Sequence, residues 1–240
     1  MISIVIPTLN EEDYLPKLLD SLRKQNSKED YEVIIADAGS NDRTIEIAKE
    51  RYGCKVVLGG LPAKGRNEGA KIAQGNLLLF LDADLILPND FLDTLLKEFK
   101  EKNLDIASTD LVFLSDKKIY KIAAFLRNIY YRYTQRILPH ISQCILVKKD
   151  IHNKIGGFDE KIKLCEDFDY IKKIGKIAKF GHINKIKFYS SVRRFEEDGL
   201  IYTFLKLLLA HLYIALFGPV KSDIFRYRFS HYLKNKKTIF

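Results

Sequence analysis

The stretch that decides the fold is NLLLFLDAD, at residues 76–84. Its apolar run does not alternate with polar residues, which predicts a strand buried on both faces, as in a parallel sheet. YEVIIAD, at residues 31–37, has the same character and also ends in an acid. Open α/β sheets bind ligands just outside the carboxyl ends of their strands. We therefore expect Asp37, Asp82 and Asp84 to face one crevice.

Three carboxylates in one crevice repel each other unless a cation or a hydrogen-bonding ligand lies among them. Asp82 and Asp84 are two residues apart, so on an extended strand end their side chains point the same way. This spacing predicts a divalent metal that carries a phosphorylated ligand. A polar turn is the alternative, but it leaves the apolar run ending in two unpaired acids.

The first hundred residues predict alternating strands and helices, which is the pattern of a doubly wound parallel sheet. Asn10 and Asn89 are expected to cap two of the helices. The second half is less regular. Its predicted elements are strands at 105–113 and 142–148, one or two helices within 117–137, a helix from residue 166 and two short strands at 178–183 and 185–190.

Composition limits the classes of protein to which the chain can belong. The chain has 240 residues, 47% of them hydrophobic and 30% charged, which predicts a globular α/β protein. Its net charge of +9 suggests an anionic partner. No nucleic-acid-binding motif accompanies that charge, so we expect no nucleic-acid partner. The three cysteines match no zinc or redox motif. Because the sequence opens on a strand, we expect no signal peptide. A reducing cytoplasm is the expected compartment.

The last forty residues predict an apolar helix followed by a basic tail. Residues 207–220 form an uncharged run of fourteen, shorter than the roughly 20 residues needed to span a bilayer. The helix therefore packs on the core or a second subunit, or it lies in a membrane interface. We expect the main domain at 1–198 and this helical appendage at 199–240.

The quoted segments, read in order, resemble a family 2 glycosyltransferase of the GT-A fold. The resemblance covers roughly residues 1–175, and it rests on IVIPTLNEEDYLPKLLDSL (4–22), VIIADAGSNDRT (33–44), GRNEGAKIAQGNLLLFLDAD (65–84), GGFDE (156–160) and EDFDY (166–170). It implies a Rossmann-like, mostly parallel sheet flanked by helices. It also implies an enzyme that uses a nucleotide-sugar donor.

The resemblance implies roles for individual residues. The residues expected to bind the nucleotide-sugar are Pro7, Thr8, Asn10, Asp37, Arg66, Asp82, Arg193 and Arg194. Asp84 would hold Mn²⁺ or Mg²⁺ at the diphosphate. Asp167 would be the catalytic base, with Glu166 as its orienting neighbour. Structural alternatives stay open: Asp37 as a turn cap, Arg66 as a solvated residue, and the two arginines at 193–194 as a surface cluster.

The activity implied is inverting transfer of one sugar from a UDP- or GDP-sugar to a hydroxyl of a lipid-linked or cell-envelope glycan. The QxxRW motif of processive relatives lacks its Gln and Trp here, which favours single-sugar transfer. A polyprenyl phosphate acceptor and a non-catalytic nucleotide-sugar-binding protein are the alternatives. The basic and aromatic segment 117–136 fits either a lipid-linked acceptor or a solvated helix. The expected location is the cytoplasm, with peripheral attachment to the inner face of the membrane as its variant.

Overall fold

The computed structural model describes residues 1–135, 140–141, 143–222 and 224–225. Within this part of the chain, one sheet is formed by β1 (Ile2–Thr8), β2 (Tyr31–Asp37), β3 (Lys55–Leu58), β4 (Leu77–Leu81), β5 (Leu85–Ile86), β6 (Ile106–Phe113), β7 (Cys144–Lys148) and β8 (Phe180–Ser190). β2 and β4 lie where YEVIIAD and NLLLFL predict strands.

Helices follow most of the strands. They are α1 (Leu15–Arg23), α2 (Thr44–Glu46), α3 (Pro62–Ile72), α4 (Phe91–Glu101), α5 (Lys118–Thr134), α6 (Lys149–Lys154), α7 (Glu166–Ile174), α8 (Arg193–Asp198) and α9 (Leu200–Phe217). A π-helical segment, Ile47–Arg51, extends α2. Helices were predicted within residues 117–137. The end of that region, residues 136 and 137, lies outside the described part of the chain.

The sheet is mixed. Its strand order is β3-β2-β1-β4-β7-β6-β8-β5. Among the described residues, four strand pairings are parallel and three are antiparallel, with β7 as the antiparallel strand in the middle. The predicted pair of short strands near residues 178–190 is wrong: β8 is one strand along β6, whose register shifts after Thr109. Because β6 is long and continuous, it holds both halves of β8 across the irregularity.

The carboxyl ends of β1, β2 and β4 meet at one edge of the sheet. All three strands are parallel, and Thr8 of β1 stands opposite Asp37 of β2. Asp82 follows the last residue of β4, and its backbone N–H donates to the carbonyl of Gln143 (3.0 Å). The acids that follow these strands in the sequence therefore lie at this edge of the sheet.

Helices cover the sheet on both faces, which explains the apolar run in β4. Leu79 and Leu81 belong to the core cluster that includes Leu15 of α1. Leu78 and Phe80 belong to the opposite cluster, beneath α3 and α7. A strand covered on both faces has no polar side, so its residues do not alternate.

Two glycines let α3 approach the sheet. A Cβ on Gly69 would lie 2.3 Å from Val5 Cγ1, and one on Gly65 would lie 3.0 Å from Pro7 Cβ. These glycines are one helical turn apart and face β1. Larger residues would push α3 outward, so this close packing fixes the position of Arg66, which lies between them.

Both predicted side-chain caps are wrong. α1 begins after Tyr14 and α4 after Asp90, and neither N-cap side chain forms a capping hydrogen bond. Asn10 instead adopts a left-handed backbone conformation, with φ of 55°. Its side chain joins the loop after β2, a tertiary contact that outweighs its local preference for capping.

The C-terminal helix α9 lies at residues 200–217, as predicted, and follows Gly199, whose φ is 87°. Among the described residues, no helix is long and apolar enough to cross a bilayer. The basic tail beyond residue 225 lies outside the described residues. The division at 198/199 remains a prediction.

Candidate active site

Asp37 is buried, and its carboxylate accepts hydrogen bonds from the loop that follows it and from β1. Its Oδ1 accepts hydrogen bonds from the hydroxyls of Thr8 (2.8 Å) and Ser40 (2.6 Å). Its Oδ2 accepts from the backbone N–H groups of Gly39 (2.9 Å) and Ser40 (2.7 Å). These four donors use the acceptor capacity of the carboxylate. Asp37 thus holds the turn after β2, and its contact with a nucleotide base remains a prediction.

The loops after β1 and β2 are joined by hydrogen bonds. The backbone N–H of Asn10 donates to the Ser40 hydroxyl (2.8 Å), and Asn10 Oδ1 accepts from the N–H of Asn41 (2.8 Å). The N–H of Glu11 donates to the Thr44 hydroxyl (2.8 Å). Asn10 Nδ2 is buried without a hydrogen-bond partner among the described residues. These loops are therefore held in place, with an amide donor still available.

Arg66 joins two acids from distant parts of the chain. It is 5% exposed. Its guanidinium contacts Glu166 Oε1 at 2.5 Å and Asp82 Oδ1 at 3.0 Å, and it lies over the ring of Phe158. Its Nε is buried and has no hydrogen-bond partner among the described residues. The solvated alternative for Arg66 is thereby wrong, and its binding of nucleotide remains a prediction.

Hydrogen bonds join the GRNEGA and GGFDE segments next to Arg66 and its two acids. The side chain of Asn67 donates to the carbonyl of Phe158 (2.9 Å) and accepts from the N–H of Phe158 (2.9 Å). Gly157 has φ of 73°, and a Cβ there would lie 2.5 Å from Asn67 Oδ1. Phe158 stacks on Tyr170 of α7. These contacts fix the start of α7, where Glu166 lies, relative to α3.

A second arginine joins the other acids. Arg193 binds Glu11 through two hydrogen bonds (2.7 and 2.8 Å), and its Nε lies 3.1 Å from Asp84 Oδ2. The guanidinium also lies 4.2 Å from the centre of the Tyr14 ring. Arg193 is therefore not part of a cluster confined to the surface. Glu11 is a residue that the sequence analysis left without a role, because its partner is 182 positions away.

Several carboxyl groups of the site have raised pKa values. Burial, with the charge of Glu166, raises the pKa of Asp167 to about 7. Burial also raises the pKa of Glu11 to about 7, with smaller contributions from Asp84 and Asp82. The pKa of Asp82 is raised by burial and by the charges of Asp84 and Glu166, while Arg66 and Arg194 oppose that rise. The acids predicted from separate motifs thus influence each other electrostatically.

Asp167, the predicted catalytic base, lies at the start of α7. Cys165 precedes the helix in a left-handed conformation with φ of 59°, which is uncommon for a residue other than glycine. Asp167 Oδ1 accepts the N–H of Phe168 (2.9 Å). A carboxyl group with a pKa near neutrality can exchange a proton at physiological pH, as a general base requires.

The donor set near Asp84 fits a hard divalent cation. Asp82 and Asp84 carry carboxylate oxygens, the ligand type that Mg²⁺ prefers, and each pairs with an arginine through one oxygen. Mg²⁺ needs only one or two protein carboxylates with waters and phosphate oxygens. Asp84 and Tyr14 line a cavity of about 170 Å³. Within the described part of the chain, no three His, Cys, Asp or Glu side chains are arranged to hold a metal ion by themselves. A metal ion at Asp84 would therefore take its remaining oxygens from a ligand or from water.

His182 has structural contacts, and the aromatic side chains near this site have no assigned role. His182 is buried between Ser108 (2.9 Å) and Asp110 (2.7 Å), which gives it a structural environment. Tyr131 stacks with His140, and Phe168 lies beyond that histidine. The sequence analysis had grouped residues 117–136 only by composition.

Comparison with known proteins identifies the family. The sequence model described as Glycosyl transferase family 2 matches residues 3–156, more than half of the chain. The chain belongs to glycosyltransferase family 2. The predicted family is therefore confirmed, and the acids and arginines described above lie in a chain of that family.

Several relatives of this family 2 chain are named for polymers. A chondroitin synthase from Pasteurella multocida is 28% identical over 201 residues, covering 78% of this chain and 20% of that protein. A poly(ribitol-phosphate) β-glucosyltransferase from Bacillus spizizenii is 29% identical over 231 residues, covering 80% of this chain and 35% of that protein. The chain spans about a fifth to a third of these relatives.

Solved structures confirm the GT-A type of fold. Residues 1–349 of TarS from S. aureus, in complex with UDP-GlcNAc, match with a TM-score of 0.66 and 24% identity, over 79% of this chain and 58% of that one. The mannosyltransferase PcManGT from Pyrobaculum calidifontis, with GDP-Man and Mn²⁺, matches with a TM-score of 0.61 and 18% identity, over 87% and 64%. At these identities the likeness concerns the fold alone.

Proposed function

We propose that this chain is a metal-dependent, inverting glycosyltransferase that moves one sugar from a UDP- or GDP-sugar to an acceptor hydroxyl. The observation that carries the proposal is the joined cluster of acids and arginines at the carboxyl edge of the sheet. Arg66 ties Asp82 to Glu166, and Arg193 ties Asp84 to Glu11. Both halves of the chain therefore contribute to one charged centre.

In this proposal the donor lies along the strand ends. Pro7, Thr8 and Asn10 face the nucleotide, and the free Nδ2 of Asn10 supplies a donor to it. Contact of Asp37 with the base requires Thr8 or Ser40 to turn its hydroxyl away. Arg193 and Arg194 bind the diphosphate, a task that suits the planar guanidinium.

Asp84, assisted by Asp82, would hold Mn²⁺ or Mg²⁺, which supplies charge stabilisation for the departing diphosphate. Asp167 accepts the proton of the acceptor hydroxyl as its oxygen bonds to the anomeric carbon and the bond to the diphosphate breaks. Glu166, fixed by Arg66, keeps Asp167 in its raised-pKa environment. A phosphate acceptor has no such proton to remove at neutral pH, so the base at residue 167 favours a hydroxyl.

The acceptor class proposed is a lipid-linked or cell-envelope glycan. The names of two relatives, a chondroitin synthase and a poly(ribitol-phosphate) β-glucosyltransferase, support an acceptor that is part of a polymer. The missing Gln and Trp of the QxxRW motif support single-sugar transfer.

A thermal-shift panel of UDP- and GDP-sugars, with and without Mn²⁺, tests donor and metal together. We expect one donor to raise Tm, and the increase to depend on Mn²⁺. Asp84→Asn should lose the Mn²⁺-dependent part of the shift. Asp116→Asn, at a fully exposed acid, is the matched control and should keep it. A panel in which no nucleotide-sugar shifts the wild-type Tm would refute the proposed donor class.

A further inference from the structure

Helix α9 presents an unusually apolar surface to solvent. Between Leu200 and Phe217 its charged side chain is Lys206, and it contains no acid. Its exposed large apolar residues are Ile201, Tyr202, Phe204, Leu205, Leu208, Leu209, Leu212, Leu216 and Phe217. A helix that is apolar on all sides is normally buried. An exposed patch of this kind marks a surface that another apolar phase covers.

Helix α5 adds a second set of exposed apolar residues. They are Ile119, Ile122, Phe125, Leu126, Tyr130 and Tyr133. The helix is seventeen residues long, and among its described residues Tyr120, Ala124 and Asn128 are buried. The outward side of α5 is thus apolar along most of its length.

Bridging contacts place both helices on the same side of the molecule. Tyr120 of α5 contacts Phe195 of α8, and α8 leads through Gly199 into α9. Further along α5, the Tyr130 hydroxyl and His140 Nε2 form a hydrogen bond (3.0 Å). Phe168 lies between His140 and His211 of α9, with ring centres 6.1 and 5.9 Å away. We call the exposed residues of α5 and α9 the apolar face.

The charges on these helices have one sign. Helix α5 carries Lys118, Lys121, Arg127 and Arg132 and has no acid in its sequence. Lys172, Lys173 and Lys176 line, together with Asp169, a cavity of about 180 Å³ between α7 and the end of α9, where Lys173 forms an ion pair with Asp169 (2.7 Å). A second copy of the chain on this face would bring basic groups against basic groups. An anionic surface would be attracted to them.

We propose that the apolar face rests on an anionic lipid bilayer, with α9 in the interface and parallel to it. Eighteen residues give α9 a length of about 27 Å, so it can lie along the membrane surface, with Lys206 and the basic side chains of α5 near the anionic headgroups. The inference goes beyond the proposed sugar transfer and does not depend on it, because lipid binding requires no turnover.

This placement brings the bilayer close to the proposed base. Phe168 follows Asp167 directly and contacts His211 of α9. An acceptor anchored in the bilayer would therefore meet the protein beside the start of α7. The sugar-bearing end of such an acceptor would reach the reaction centre without leaving the surface.

The absence of tryptophan in the chain allows a sensitive test. In the full-length chain, Leu212→Trp places a single fluorophore on the apolar face, and Ile72→Trp places one at an exposed position on α3 as the control. Vesicles of phosphatidylcholine, with and without phosphatidylglycerol, are added to each. We expect the Leu212→Trp emission to shift to shorter wavelength only with phosphatidylglycerol, and the control emission to stay unchanged.

Co-sedimentation with the same vesicles gives the affinity. The variant carrying Leu208→Glu and Leu212→Glu should bind about tenfold or more weakly than the wild type, because two apolar contacts are replaced by charges that anionic lipid repels. The Ile72→Glu control should bind like the wild type. Wild-type chain that fails to bind phosphatidylglycerol vesicles, or binding that survives the double substitution, would overturn the proposal. A wild-type dimer in light scattering that the double substitution converts to monomer, without vesicle binding, would assign the face to a second copy.

Discussion

Replacing Arg66 with methionine should destabilise the fold strongly. The guanidinium is 5% exposed and pairs with Glu166 (2.5 Å) and Asp82 (3.0 Å). Methionine keeps the apolar stem but leaves two carboxylates in a poorly solvated site without their cation. Breaking a buried ion pair from one side costs about 3–5 kcal/mol. For a chain of this size, that loss corresponds to a Tm decrease of roughly 6–20 °C.

The loss should depend on pH in a defined direction. The charge of Arg66 opposes the rise in the pKa of Asp82, so its removal raises the pKa of that carboxyl further. When a carboxyl group has a higher pKa in the folded protein than in the unfolded chain, the folded protein loses stability as pH rises through that folded-state pKa. The destabilisation should therefore be larger at about pH 8 than at about pH 5, where the carboxyls take up protons.

Urea unfolding followed by circular dichroism measures these free energies. Arg51→Met is the matched control: its ion pair with Asp20 is exposed and 3.7 Å long, so it should cost less than about 1 kcal/mol. Adding Asp82→Asn and Glu166→Gln to Arg66→Met should restore much of the stability, because no uncompensated charge remains. An Arg66→Met protein as stable as the wild type at about pH 8, or no recovery in the triple variant, would refute the assignment of this pair as a buried network.

Three further predictions address catalysis, donor binding and packing. The transfer rate should rise with pH through about 7, because Asp167 must be ionised to accept a proton; a rate that falls over that range in a pH profile contradicts this role. Arg193→Lys should weaken donor binding in calorimetry by about tenfold, since lysine cannot reproduce the fork that engages Glu11 and Asp84; unchanged affinity would reject its role. Gly69→Ala should cost about 1–3 kcal/mol in urea unfolding, because its Cβ would lie 2.3 Å from Val5 Cγ1; a variant of wild-type stability would show that α3 can move.

The sequence predicted the elements whose patterns are local. NLLLFL became a strand whose alternate residues enter two cores, and the last apolar helix lies at Leu200–Phe217. The acids after the strands reached one edge of the sheet because parallel strands end together. The antiparallel position of β7 was not predictable, because nothing in its apolar run specifies its direction.

Contacts across the chain were beyond sequence reasoning. Glu11 and Arg193 are 182 positions apart, and each alone has an ordinary local explanation. Asp37 was assigned a ligand role, which stays a prediction, and the structure adds four donors to its carboxylate, three from its own turn and one from Thr8 of β1. The side-chain caps also failed, since tertiary hydrogen bonds of Asn10 displaced the local ones.

The central claim is that Asp167 performs proton transfer in a site that binds the donor independently. The most direct measurement pairs donor calorimetry with release of nucleoside diphosphate, in the wild type and in Asp167→Asn. We predict equal donor affinity for both proteins in the presence of Mn²⁺, and a rate at least about 100-fold lower for Asp167→Asn. Turnover by Asp167→Asn at the wild-type rate would contradict the account.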